Sequence, residues 1–565
     1  VAAAGGSSVF HIDCPVADLS FRVGACAAML STMIFAGKIP ADPFFVGVLL
    51  EKDPLENVTG SAWQAEVERE QGWQHSYPSR WLQRHSRKDL DDSRAKSALW
   101  AEEVKEAMSH AWNGYRQTAW GYDQVHPKRG KPNTWFNLGL SIVETMDTLW
   151  LLGFRQEFDE AQRWVEEHLT FEGANTKPDS FFEATIRLLG GLLGAHSLSL
   201  RPIFLQRAKE LGDRLISAWP PDADLPNSQV DIGANLSSHI GWRGRSFSTA
   251  EVGSCQLEFR YLSHHTGDPT YAIFADRAFN AILQATPDKG LVSANLLGNT
   301  RPVEQGSTIT LGAHGDSYYE YLVKQYLQTS QTEPRFLERW KLAMQEMMSR
   351  LVHRSSDGYL YVAKEHDGNI VHEFDHLSCF IAGMLMQGLH ELPVGEVPQD
   401  YMDVAAEITE TCHAMYDTTS GLAPEIIDFS SGQKVIKPKD AFSLLRPEAV
   451  EAMYYMWYYT GDHIYREWAH SVLEGLNRSA RTTHGYSSME QINSVEQKMT
   501  DSCESFFYAE TLKYLYLIQA DPELVPLDKF VFNTEAHPLR IWRPGVDAPG
   551  GGLSASASGE GTETR

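Results

Sequence analysis

From Ser97 onward the apolar positions recur at spacings of three and four, the pattern of helices with one buried face. It predicts about fourteen helices, at roughly 97–116, 137–153, 156–168, 180–198, 203–217, 248–265, 269–286, 311–328, 333–353, 376–390, 400–418, 447–460, 463–480 and 502–519. Short turns such as Thr266-Gly267-Asp268-Pro269 and Thr460-Gly461-Asp462 join them in pairs. The glycine stops one helix and the aspartate caps the next. Repeated antiparallel pairs predict a toroid of helices. β-like runs, Gly358 to Ala363 and Asn369 to Val371, read as hairpins on its rim. Residues 1–95 lack the helical pattern and read as an arm; residues 96–545 read as the helical domain. Residues 546–565, Gly/Ser-rich from Pro549, read as a disordered tail.

Composition narrows the partners. The 565 residues are 42% hydrophobic with a formal net charge of -25, so a large core is available. That charge argues against nucleic acid or an anionic membrane surface as a partner and suits neutral sugars or metal cations. None of the six cysteines forms a CxxC pair, which argues against a thiolate zinc site. Sequons stand at Asn57, Asn235 and Asn477, acceptors only in a secretory compartment. The chain opens at Val1 rather than Met, which leaves the true N-terminus open. Val23 to Gly37, between Arg22 and Lys38, is apolar over about the length of a signal-peptide core and short for a membrane span. A signal-anchor remnant and an apolar stretch of the arm are equal readings of it.

Carboxylates recur at the helix starts. Glu183 and Arg187 stand at i, i+4, as do Asp316 and Glu320, and Phe506 and Glu510; Glu448 and Glu451 stand three apart, just after Pro447. Acids in a first turn are favoured by the helix dipole, so each set taken alone also reads as a solvated helix start. If the inner helices begin at one end of the barrel, the acids converge. Several carboxylates around a neutral sugar accept its hydroxyls, and two of them suffice for the acid and base of glycoside hydrolysis. His372-Glu373-Phe374-Asp375-His376 spells HExxH, but the preceding Asp367-Gly368-Asn369 reads as a turn. With no third ligand in sight, a zinc protease is the weaker reading.

The stretches AWNGYRQTAWGYDQVHP (111–127), WFNLGLSIVETMDTLWLLG (135–153), FFEATIRLLGGLLGAH (181–196), AEVGSCQLEFRYLS (250–263), GDSYYEYLVK (315–324), DHLSCF (375–380), LLRPEAVEA (444–452), ESFFYAETLKYLYL (504–517) and VFNTEAHPL (531–539) carry a resemblance. The chain resembles the class I α-1,2-mannosidases, glycoside hydrolase family 47, most closely the endoplasmic reticulum members. The resemblance implies an all-α (α/α)7 barrel, with small hairpins on the rim and one reaching the floor. It implies an inverting hydrolase that trims terminal α-1,2-linked mannose from high-mannose N-glycans, with Ca²⁺ at the floor. Matched motif by motif, it implies Glu183 as general acid acting through a water, with Asp316 as the competing candidate, and Glu448 as base. It implies Arg187, Glu251, Glu320, His376, Glu425, Arg446, Glu451, Phe506, Glu510 and Glu535 around the sugar, Phe506 stacking on its apolar face. It implies Thr534 as the direct protein ligand of Ca²⁺, a Cys379–Cys412 disulfide, and a monomer in the endoplasmic reticulum or early Golgi lumen, with an N-terminal membrane anchor as one option.

His314 departs from the resemblance, which puts an Arg in endoplasmic reticulum members, or a Leu in Golgi members, two residues before Asp316. Loss of a bidentate donor there loosens the expected branch choice. Two further readings stand beside the enzyme: a non-hydrolytic glycan-binding protein of quality control, and another inverting toroid glycosidase.

Overall fold

The computed structural model describes residues 87–545, except 173–176, 240–245, 298–302, 305–307, 394–395, 397, 495 and 497, together with residue 547. The run Val23 to Gly37, the sequon at Asn57, most of the expected arm and the tail from Pro549 lie outside the described residues.

Helices alternate between two kinds of burial. In α2 (Leu140–Leu151) every residue but Trp150 is buried, Glu144 and Asp147 included. In α3 (Arg155–Glu167) only Phe158, Ala161 and Val165 are, a single stripe at spacings of three and four. The first is an inner helix, the second an outer one. The inner series continues with α4 (residues 181–199), α6 (249–266), α8 (Asp316–Gln328), α10 (376–390), α12 (Glu448–Thr460) and α14 (507–517). The outer series is α3, α5 (Pro202–Leu215), α7 (Thr270–Ala285), α9 (Pro334–Arg350), α11 (Gln399–Ala414), α13 (Ile464–Ser479) and α1 (Arg87–Thr118). Each inner helix packs on the next, and α14 returns to α2, closing the ring; α1 covers α14 from outside. Among the described residues, seven inner and seven outer segments make the (α/α)7 barrel expected from the resemblance.

The pair-joining turns form as expected. Gly267 and Gly461 take φ of 75° and 72°, and Asp268 and Asp462 accept from the backbone N–H groups of Thr270 and Ile464, both at 3.0 Å. Three helix starts differ by five residues or more, among them that of α14, at Phe507 rather than near Ser502. α1 begins at Arg87, ten residues before the apolar pattern does, because its first turns are charged. α8 begins at Asp316 rather than near Leu311, because His314 adopts a left-handed φ of 74° and breaks the helix just ahead of it. The predicted β runs form hairpins, Val352–Arg354 with Leu360–Val362 and Lys364–His366 with Asn369–Val371. A last hairpin, Phe530–Phe532 with Pro538–Arg540, is largely buried and packs against α8 and α4 inside the ring. The Cys379–Cys412 disulfide joins α10 to α11.

Candidate active site

The inner helices deliver the acids from their first turns. Ser180 caps α4, its hydroxyl accepting from the Glu183 N–H at 3.2 Å. α4 then widens into a π-helical segment, Ala184–Leu189, and α14 opens with another, Phe507–Thr511. Such π segments re-aim side chains and are frequent at functional sites. Here they carry Arg187 and Glu510. Non-glycine residues in left-handed φ stand beside the other site residues: His314 ahead of Asp316, Leu445 (61°) ahead of Arg446, and Ala536 (56°) after Glu535. An apolar side chain such as Leu445 adopts that conformation at a cost, which its surroundings must impose.

Arg187 is the hub of one half of the site. Its guanidinium meets Glu183 at 2.6 Å, Glu144 at 3.2 Å and Glu535 at 2.9 Å. The other half is built on a two-stranded ladder, Glu373–Asp375 with Ile426–Asp428, extended by the His376 N–H donating to the Glu425 carbonyl at 2.8 Å. This ladder places His376 and Glu425 side by side. His376 Nδ1 then donates to Glu448 at 3.1 Å, and Glu425 accepts from Arg446 Nε at 2.5 Å. Phe506 bridges the halves: the Arg187 and Arg446 guanidinium carbons lie 5.6 Å and 5.9 Å from its ring centre. The HExxH run is therefore strand rather than helix through Glu373–Asp375, and its two histidines serve Tyr361 and Glu448, at 2.7 Å and 3.1 Å.

Asp316 and Glu448 stand in opposite electrostatic settings. Asp316 is raised to about 7, by burial and then by Glu320, Glu448 and Asp375. Its hydrogen bonds come from the backbone N–H and the hydroxyl of neighbouring Ser317. Glu448 is also pushed up by burial, but the hydrogen bond from His376 and the nearby Arg446 outweigh it and hold the carboxyl below its usual value. Two carboxyls whose surroundings push them apart are what an acid–base pair requires.

Below this level the hairpin tip, Asn533–His537, meets a second set of acids. Asn533 donates to Glu258 at 2.7 Å, Tyr321 donates to Glu258 at 2.8 Å, and the Thr534 N–H reaches the Tyr321 hydroxyl at 3.3 Å. Lys324 pairs with Glu320 and reaches the Asn533 carbonyl at 3.5 Å. Burial pushes Glu451 and Glu535 up to about 8 and Glu258 to about 7; Glu510 is pushed up by burial and by Glu535, with which it shares a hydrogen bond.

Of the sequence-named residues, Glu183, Arg187, Glu320, His376, Glu425, Arg446, Glu448, Glu451, Phe506, Glu510, Asp316 and Glu535 form one connected set through these contacts and fields. Glu251 stands in the first turn of α6, capped by Ser248, and His314 ties that helix to α8 by accepting from the Ala250 N–H at 2.9 Å. The His314 side chain is exposed. Sequence reasoning missed Glu144, Glu258 and Lys324. Their signal was a charge set among apolar inner-helix residues, such as Glu144 in SIVETM.

Residues 107–541 match the model of Glycosyl hydrolase family 47. The chain is 40% identical over 453 residues to the endoplasmic reticulum mannosyl-oligosaccharide 1,2-alpha-mannosidase of Rattus norvegicus, covering 78% of this chain and 68% of that one. It is 37% identical over 512 residues to the protein of the same name from Homo sapiens, covering 87% and 72%. The solved structure of an alpha-1,2-mannosidase from Trichoderma reesei superposes with a TM-score of 0.72 at 27% identity, covering 79% of this chain and 99% of that one.

Proposed function

The chain belongs to glycosyl hydrolase family 47, and on that premise we propose that it removes terminal α-1,2-linked mannose from high-mannose N-glycans, with inversion at the anomeric carbon. The observation that carries the reading is the opposed pair, Asp316 raised and Glu448 lowered, beside a Phe506 ring bracketed by two arginines.

In this reading Glu448, kept ionised by His376 and Arg446, takes a proton from a water. The water oxygen bonds to the anomeric carbon as the bond to the glycosidic oxygen breaks. That oxygen leaves with a proton from the acid, so one proton enters Glu448 as another leaves its partner, and β-mannose results. Asp316 is the better proton store of the two candidates: its charged neighbours named above are all acids. Glu183 sits in an ion pair with Arg187 at 2.6 Å. Glu183 then orients the leaving group through a water. Phe506 offers its ring to the apolar face of the sugar. Glu425, Glu251 and the arginines receive its hydroxyls.

The oxygen-rich floor supports a Ca²⁺ ion held through waters rather than by the acids directly, since among the described residues no three His, Cys, Asp or Glu side chains are grouped to hold a metal. Glu144, Glu258, Glu320, Glu451, Glu510 and Glu535 gather there, with Arg187 and Lys324 paired to members of the set. A hard cation takes such oxygen donors readily. Thr534, through its carbonyl and hydroxyl, would be the direct protein ligand, with the acids holding its waters. When bound, the ion would orient sugar hydroxyls and neutralise charge.

The Cys379–Cys412 disulfide supports an oxidising secretory compartment. We place the enzyme in the endoplasmic reticulum or early Golgi lumen, as a monomer with its catalytic unit within residues 96–545. Among the described residues no helix is long and apolar enough to cross a membrane. Mass spectrometry of Man9GlcNAc2 incubated with the protein tests the reading. Loss of mannose in Ca²⁺ and its arrest by chelator are expected. Glycan binding without mannose loss would favour the quality-control lectin instead.

A further inference from the structure

The hairpin tip is held by a buried lock. Asp147 on α2 accepts from His537 Nδ1 at 2.7 Å and from Lys513 Nζ on α14 at 2.9 Å, and all three side chains are fully buried. Lys513 also donates to the Ala536 carbonyl at 2.6 Å, at the residue the tip holds in left-handed φ. Within the tip, Asn533 Oδ1 accepts from the N–H groups of Glu535 and His537, at 3.0 Å and 2.8 Å. On the facing side α4 presents glycines. A Cβ on Gly190 would lie 2.6 Å from Asn533 Nδ2, and one on Gly194 would lie 2.6 Å from Asp147 Oδ2. Glycine one turn apart leaves open the groove in which the tip and its lock sit.

Burying a carboxylate against a lysine and an imidazole is a poor way to stabilise a barrel, since well-packed apolar residues do as well or better. What the lock does provide is position: it ties the two strands' shared tip to two inner helices on either side of the ring's closure. We propose that Asp147, Lys513 and His537 are positioning residues that set the affinity of the floor for its cation, by fixing Thr534 and Glu535 against the acids of α6, α8 and α12. The proposal rests on the reading of Thr534 as the cation ligand. None of the three residues is placed against the sugar. Groups that hold a metal ligand in place are typically worth about 10–100-fold in metal affinity.

Calorimetric titration of Ca²⁺ into the metal-stripped full chain tests this, with thermal melts by circular dichroism alongside. The paired change Asp147→Asn with Lys513→Met removes the ions together and leaves no lone buried charge. It is expected to melt cooperatively, to bind Ca²⁺ about 10–100-fold more weakly, and to regain its turnover at saturating Ca²⁺. His537→Gln, whose amide still reaches Asp147, is expected to keep more affinity than His537→Ala. A merely structural role would lower turnover at every Ca²⁺ concentration and leave affinity alone. Wild-type affinity in the folded paired variant overturns the proposal; if that variant does not fold, equal affinities in the two His537 variants overturn it. A wild-type chain that takes up no Ca²⁺ removes the reading of Thr534, and this inference with it.

Discussion

The mouth and the floor of the barrel use the same residue type under different constraints. At the mouth Glu183, Asp316 and Glu448 are half-buried, and their individual partners set them apart: Arg187 for the first, other acids for the second, His376 and Arg446 for the third. At the floor Glu258, Glu451, Glu510 and Glu535 are buried and are all pushed upward together. The mouth is differentiated, as proton transfer between distinct groups requires. The floor is a common pool of oxygens, the setting proposed for the cation. Carboxyl groups differ between the two levels because those at the mouth stand half-buried at helix starts while those at the floor are buried around the hairpin.

The largest effect expected at the mouth is that of Glu448→Gln. Loss of the base should lower kcat by about 10²–10⁴-fold, read on Man9GlcNAc2 at saturating Ca²⁺; near-wild-type turnover would erase the distinction between Glu448 and its neighbours. Next, Asp316→Asn should be rescued by a mannoside with an activated dinitrophenyl leaving group, which needs no proton. Glu183→Gln should be rescued less. The reverse order would exchange the two acids.

The pH profile sharpens the same contrast. Asp316 is protonated below about 7, so activity should fall as pH rises through that value. Glu448 lies below its ordinary 4.5, so the acidic limb should appear only beneath that. Asp316→Asn should abolish the upper limb of the residual activity. For stability the sign follows from a raised folded value: the neutral form favours folding, and that contribution is lost as pH rises through about 7. Asp316→Asn should therefore melt higher than the wild type at pH above about 7, even as it loses activity.

The smallest effect belongs to neither region. Lys96 and Glu467 pair at 3.0 Å on the outer surface, with side chains 55% and 42% exposed. Lys96→Ala should change stability by at most about 1 kcal/mol and activity not at all; a larger loss would show that the outer ring tunes the site.

Much of the mouth was legible because its signals are local. An acid in a first turn, a breaker before it and an apolar stripe behind it are visible without tertiary structure, as at Glu448 after Pro447. The spacing counted the helices but did not sort them into inner and outer rings, although the contrast between SIVETM and the striped α3 carries that difference. The floor was not. Asn533-Thr534-Glu535 reads as a turn, and nothing in its spacing shows that it enters a ring closed by α2 and α14, over 300 residues away from α2 in sequence. Glu258 and Asp147 are buried acids on inner helices, and part of their partner set, Asn533 and His537, arrives only with the hairpin. The start of α8 was misplaced because the left-handed φ of His314 is imposed by contacts with α6 rather than by its own residue type.

The central claim is that differentiated acids at one mouth hydrolyse the mannosidic bond by direct attack of water. A time course of Man9GlcNAc2 hydrolysis by proton NMR, read at the anomeric signals before mutarotation, tests it most directly. The account predicts β-mannose as the first product, with α-mannose growing in afterwards; α-mannose appearing first would contradict it.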